Sequence, residues 1–284
     1  MSSHTHRPGA PGRASRSTAR RSAQNETLTA AGRAGFGARG LVYVLIGLLA
    51  IRIAMGSGGG EADRQGALRE IAARPFGNVL LWALVAGFGG MALWRASRAV
   101  PVRGPRRKTG SRLLDGGRAL FYAFVCWGTA AFAAGRGGDG GGTGGGDAKS
   151  RDWTASALNL SYGRVLVAVA GCVVIGIGLT LAARAALRRF LRQLDTGAMS
   201  PRTREIVTGL GVGGGVARGI VFAAAGLFVL VAAVRFDPNR AKGVDATLRS
   251  FAHTPAGPWL LVAVATGLIL FGAFSFASAR WRRL

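Results

Sequence analysis

Six apolar stretches alternate along the chain with arginine-rich or glycine-rich polar segments. They run from about Phe36 to Met55, Asn78 to Ser97, Ala119 to Gly135, Val165 to Ala183, Val216 to Val234 and Trp259 to Ala279. A bilayer core about 30 Å thick is crossed by roughly 20 mainly apolar residues in helical form. Helices are expected because lipid offers the backbone no hydrogen-bond partner. The pattern predicts an all-α fold: an integral membrane bundle of six helices.

The stretches come in pairs, and the pairs repeat. Arg39, Arg118 and Arg218 each open a pair, and each has an aromatic residue four positions on: Tyr43, Tyr122 and Phe222. On a helix these two positions stack on one face. The expected arrangement places the arginine at the headgroups and the ring one turn deeper, as interface anchors. The second halves align on Gly77, Gly163 and Gly257, which lie 38, 45 and 39 residues after their arginines. The middle copy is longer because it carries a Gly-rich insert at 137–146. Each unit holds two spans, so all three insert with the same orientation, related by an axis along the membrane normal. The reading is three parallel two-helix repeats around an approximate threefold axis: 34–100, 113–190 and 209–284. Small residues are expected to let the helices approach closely: Gly87, Gly89 and Gly90 in the second stretch, Gly171, Gly176 and Gly178 in the fourth, and Ala223 and Gly226 in the fifth.

Each outer loop carries a further apolar stripe. Leu68, Ile71 and Ala72 match Leu248, Phe251 and Ala252, and the middle copy has Thr154, Ala157 and Leu158. The i, i+3, i+4 spacing predicts a short amphipathic helix in every outer loop. Asp152 and Asp245 stand where an N-cap is expected.

The residues around the first pair carry a resemblance. Gly35-Phe36-Gly37-Ala38-Arg39-Gly40-Leu41-Val42-Tyr43 is followed by Gly66-Ala67-Leu68 and by Arg74-Pro75-Phe76-Gly77-Asn78. From residue 34 to 284 the chain resembles a family of uncharacterised, mainly actinobacterial membrane proteins that carry a paired-transmembrane-helix domain of unknown function three times. The likeness is close in the first copy and looser in the third. It is loosest in the second, where Ser161-Tyr162-Gly163 replaces the Pro-Phe-Gly turn. The resemblance implies six spans in the cell membrane and carries no assigned activity.

Charge sets the expected orientation. The net charge is +25. Of the 37 Lys and Arg, 25 fall in the N-tail, the connectors after the second and fourth stretches and the C-tail, while the three outer loops hold eight of the 12 acids. The positive-inside rule then puts both termini in the cytoplasm. Residues 1–33 read as a disordered basic tail, too polar to build a core. A cleaved signal is not expected, because a signal core would follow its basic region directly. The tail and connectors suit anionic lipid headgroups at the cytoplasmic face, at about 1 kcal/mol per charge. Nucleic acid is not expected as a partner, and no protein partner is implied.

The search for chemistry returns little. No Asp, Glu, Lys or His falls mid-span, where a pump or membrane enzyme places its ionisable groups. Arg52 and Arg164 lie near span ends and can snorkel. The interior hydroxyls are Thr129, Thr180, Thr266 and Ser275. Cys126 and Cys172 have no second ligand at metal spacing, and Gly137–Gly146 lacks the Lys-Ser/Thr of a phosphate loop. No catalytic, cofactor or metal site is assigned. An enzyme would have to draw on Asp152, Asp245 or His253 in the outer loops. The expected role is that of a multi-pass membrane protein with a structural or interaction function. A small channel or facilitator with a pore on the pseudo-threefold axis is the alternative.

Overall fold

The computed structural model of the protein describes residues 12–56, 62–99, 109–135, 146–159, 162–235, 237, 242, 244–252 and 257–282. His253 and the Gly-rich insert up to residue 145 lie outside them, as does the basic connector at 103–108. The described residues form nine α-helices: α1 (Gly12–Ala54), α2 (Arg64–Ala72), α3 (Gly77–Ala99), α4 (Thr109–Ala133), α5 (Gly146–Leu158), α6 (Gly163–Ala186), α7 (Pro201–Arg235), α8 (Val244–Ala252) and α9 (Gly257–Trp281). Two short 3-10 turns, Arg189–Gln193 and Thr196–Ala198, join α6 to α7. No strand is formed among the described residues.

Six of these helices are long, in the order the apolar runs predict, and each outer loop holds its short helix. Five are long and apolar enough to cross a membrane: Glu26–Ala54 of α1, then α3, α6, α7 and α9. The helix holding the third expected span, α4, is not among them. It begins ten residues before Ala119 and takes Arg112, Asp115 and Arg118 into its first turns. The tail also differs from expectation. Helix α1 begins at Gly12, so residues 12–33 are helical, continuous with the apolar run behind them. Where this extension reaches α3, Gly90 lies against Ala31 and Gly87 against Ala34 and Ala38.

The long helices pack in the sequence α4, α3, α1, α9, α7, α6. This is the order of a ring of three hairpins, but it is open at one seam. Helices α4 and α6, the two halves of the second hairpin, make no extended packing with each other. The second unit is therefore not a closed hairpin: α4 leans on the first unit and α6 on the third. Glycine decides the α6–α7 contact. A Cβ on Gly178 would stand 2.4 Å from Ala223 N, and one on Gly219 2.7 Å from Ala182 N. Backbones this close gain dispersion and weak contacts that larger side chains would prevent.

The free face of α6 is apolar, with Val165, Leu166, Val169, Val173 and Ile177 exposed. On α4 the exposed set is Leu120, Phe121, Phe124 and Trp127. Such continuous apolar surface marks contact with something other than water.

The repeat glycines start the second helix of each unit, at Gly77, Gly163 and Gly257. Gly77 is buried against the carbonyls of Ile71 and Ala72 at the end of α2, and Gly163 against that of Ala157 in α5. Phe76 enters this turn at a φ of 63° and projects outward, 82% exposed; its counterpart Tyr162 is 83% exposed.

The outer helices are capped differently from the sequence expectation. Asp63, rather than Asp152 or Asp245, is an N-cap, and its side chain accepts from Gly66 N at 2.9 Å. Asp152 is exposed within α5. Asp245 lies inside the first turn of α8, buried, and accepts from Ala62 N at 2.7 Å and Arg249 Nε at 2.8 Å. It ties the outer loops of the first and third units together.

Candidate functional site

Of the signature residues of the repeat, Arg39, Tyr43, Tyr122, Arg218 and Phe222 come together inside the bundle. Where outward-facing anchors are expected, the structure turns Arg39 and Arg218 inward. Both guanidiniums face the ring of Phe271 in α9, Arg39 at 5.0 Å and Arg218 at 4.9 Å from its centroid. Arg218 also lies over Tyr43 at 5.4 Å and Phe222 at 5.2 Å. Tyr43 meets Phe271 edge-on at 4.8 Å. The i, i+4 spacing thus serves a cluster within the bundle: each arginine is held on aromatic faces, a contact worth about 0.5–2 kcal/mol.

Tyr122, the signature aromatic of the second unit, completes the cluster. The guanidiniums of Arg39, Arg218 and Arg95 lie within electrostatic reach of its hydroxyl. Its ring stacks on Phe88 at 6.4 Å. Arg39 Nε also donates to Ser275 Oγ at 3.2 Å. The Nε of Arg218 is buried with no hydrogen-bond partner among the described residues.

Arg118 takes a different place, nearly half exposed. Its Nη1 lies 3.6 Å from Asp115 Oδ1, one turn back on α4. Asp115 is 5% exposed and is the hub of an ion cluster. Arg95 of α3 donates to it at 2.9 Å, and Arg98 approaches at 3.9 Å. Both arginines lie over Trp94, which meets Phe36 edge-on. Phe36 in turn lies under Arg39 and Arg282. Burial and the facing Arg39, Arg95 and Arg98 lower the Arg282 pKa. Sequence reasoning missed Asp115 because it precedes the apolar run. The one signal was an acid alone among the basic residues from Arg95 to Arg118.

Beneath the cluster lies a cavity of about 240 Å³. Its walls are mainly apolar: Val42, Ile46, Phe88, Val125, Val221 and Leu268. Arg39, Arg218 and Tyr122 form one end, and Arg64 reaches in from the outer helix α2. Phe121 lines the cavity and is also 59% exposed, so the space opens to the surface beside α4. A second cavity of about 160 Å³ lies on the far side of Arg218, toward Arg184, Arg189 and Phe190.

None of the four interior hydroxyls lines the central cavity. Thr129 and Ser275 donate to carbonyls four residues back on their own helices. Thr180 and Thr266 are exposed on the outside of the bundle. Cys126 Sγ donates to Val85 O at 3.4 Å, and Cys172 is exposed.

These features define an all-α protein of three paired-helix units enclosing a centre of arginines and aromatic rings. The chain belongs to the family described as Domain of Unknown Function (DUF1206), which matches it three times, at residues 34–101, 116–188 and 213–282. It is 29% identical over 257 residues to the uncharacterized protein YxxB of Bacillus subtilis (strain 168), across 89% of this chain and 90% of that protein. No solved structure matches.

Proposed function

We propose that this is a multi-pass protein of the cell membrane, with both termini in the cytoplasm and a structural or interaction role rather than a catalytic one. The observation that carries the reading is the apolar outer surface of α4 and α6, bounded by Arg112 and Arg118 near the start of α4 and by Arg164 and Arg184 at the two ends of α6. A lipid environment accommodates that surface without exposing it to water. The 25 basic residues on the tail-and-connector side support the orientation.

Cysteine labelling tests it. In a background with Cys126 and Cys172 replaced by Ala, Trp153→Cys should react with a membrane-impermeant maleimide on intact cells. Glu205→Cys should react only after permeabilisation. The opposite pattern would invert the orientation, and equal labelling of both positions would remove the protein from the membrane.

The channel alternative draws on the central cavity, yet Thr129, Thr180, Thr266 and Ser275 lie elsewhere, and apart from Arg39, Arg64, Arg218 and Tyr122 the cavity walls are aliphatic and aromatic. Apolar walls favour dewetting over a continuous water path. Protein reconstituted in liposomes is expected to leave ion and small-solute flux at the background of empty vesicles. Flux that is abolished by Val125→Trp, a residue that narrows the cavity, would establish the channel instead.

A further inference from the structure

We propose that the central cavity binds an anionic amphiphile. Its phosphate or carboxylate group would lie between Arg39 and Arg218, beside the Tyr122 hydroxyl, and its hydrocarbon chain would lie along the apolar walls. The inference rests on the membrane reading above and names a ligand class for the same fold.

Three observations support it. First, two guanidiniums converge on one ring, and among the described residues neither has a carboxylate partner. The buried carboxylate of Asp115 is held by Arg95, Arg98 and Arg118. Like charges so placed repel each other in a low-dielectric setting, and an anion between them converts that repulsion into attraction. Second, Arg218 Nε is buried without an acceptor. A buried donor left unpaired is costly, so the site gains from an acceptor oxygen. Third, the space next to these cations is walled by Val42, Val125, Val221 and Leu268 and opens beside Phe121. That opening lies on α4, the helix at the open seam of the ring, where an acyl chain can enter sideways from the bilayer. A free phosphate would leave those walls uncovered, so the geometry favours a lipid over an inorganic anion.

The test uses the full chain purified in a neutral detergent, with bound lipid read by native mass spectrometry. Phosphatidylglycerol is expected to bind, and phosphatidylcholine to bind at least about tenfold more weakly, because the headgroup charge is what the arginines read. The double variant Arg39→Gln/Arg218→Gln should lose the preference for phosphatidylglycerol. Arg39→Lys/Arg218→Lys, which keeps the charge, should retain most of it and controls for folding. Equal binding of the two lipids, or an unchanged preference in the Gln variant, would overturn the proposal. Full displacement of the lipid by millimolar inorganic phosphate would overturn the amphiphile and leave an anion site. A chain that purifies without any detergent would instead sink the membrane reading itself, a result distinct from lost lipid preference.

Discussion

Asp115→Asn is expected to cost about 3–5 kcal/mol of stability, because it leaves a buried cluster of arginines without its counter-charge. Arg95 and Asp115 have side chains 10% and 7% exposed and lie 2.9 Å apart. The same carboxylate is within 3.9 Å of Arg98 and 3.6 Å of Arg118. Water cannot easily take over the role of the lost charge at these positions. The effect should be local to the α3–α4 contact, since Arg95 is on one helix and Asp115 on the other. Thermal unfolding in detergent, followed by circular dichroism, would show a lower midpoint. Protease cleavage should appear first near the start of α4. A midpoint within a degree of the parent would mean that solvent reaches the cluster. The paired change Arg95→Met/Asp115→Leu should be milder than Asp115→Asn alone, because it removes the most buried arginine together with its counter-charge and leaves only the more exposed Arg98 and Arg118.

The second large effect concerns the glycines that begin α3 and α6. A Cβ on Gly163 would lie 2.0 Å from the carbonyl oxygen of Ala157, and one on Gly77 2.2 Å from that of Ile71. Both obstacles are backbone atoms, so relief requires the outer helix to move away from the long one. Gly163→Ala and Gly77→Ala are each expected to destabilise by about 1–3 kcal/mol or more, the range for overpacking a close contact. Gly176 supplies the control. It lies in the same helix α6, and a Cβ there would meet nothing within 4 Å. Gly176→Ala should be neutral or stabilising by up to about 1 kcal/mol, since alanine loses less conformational freedom in a helix. The contrast is read by thermal unfolding of the three variants side by side. Equal behaviour of Gly163→Ala and Gly176→Ala would show that the contact of Gly163 with α5 relaxes freely.

Much of the element order was legible in the residues. Runs of apolar side chains long enough to span a bilayer become helices wherever the backbone must satisfy itself, and that is a local property. The three-fold recurrence was equally local. The i, i+3, i+4 stripe at Leu68 and Ile71 was enough to place α2, and its counterpart at Leu248 to place α8. Yet the stripe did not identify the cap. Asp63, Asp152 and Asp245 are equally competent side chains, and which one caps its own helix depends on where that helix begins.

The facing of the long helices was not legible. Helices such as α6 and α9 are apolar all round, so no periodicity marks which side meets a neighbour. Arg39 and Tyr43 show the consequence. Their spacing states that they share a face, and an anchor at the headgroups satisfies that as well as a cluster inside does. The aromatic ring that turned them inward, Phe271, is more than 220 residues away in the chain.

The sequence by itself determined that this protein is helical, that it is built three times from one paired-helix unit, and that a glycine begins each second helix. Those follow from local hydrophobicity and from repetition. Only the tertiary structure decided that the signature arginines of the first and third units meet over one ring while that of the second turns to Asp115. It also opened the ring between α4 and α6. The physical reason is that α4 carries charged residues into its first turns and packs them against α3, whereas α6, lined with glycine, fits closely on α7 alone among the long helices. Unequal partners for two halves of one repeat leave a gap that no property of either half could announce.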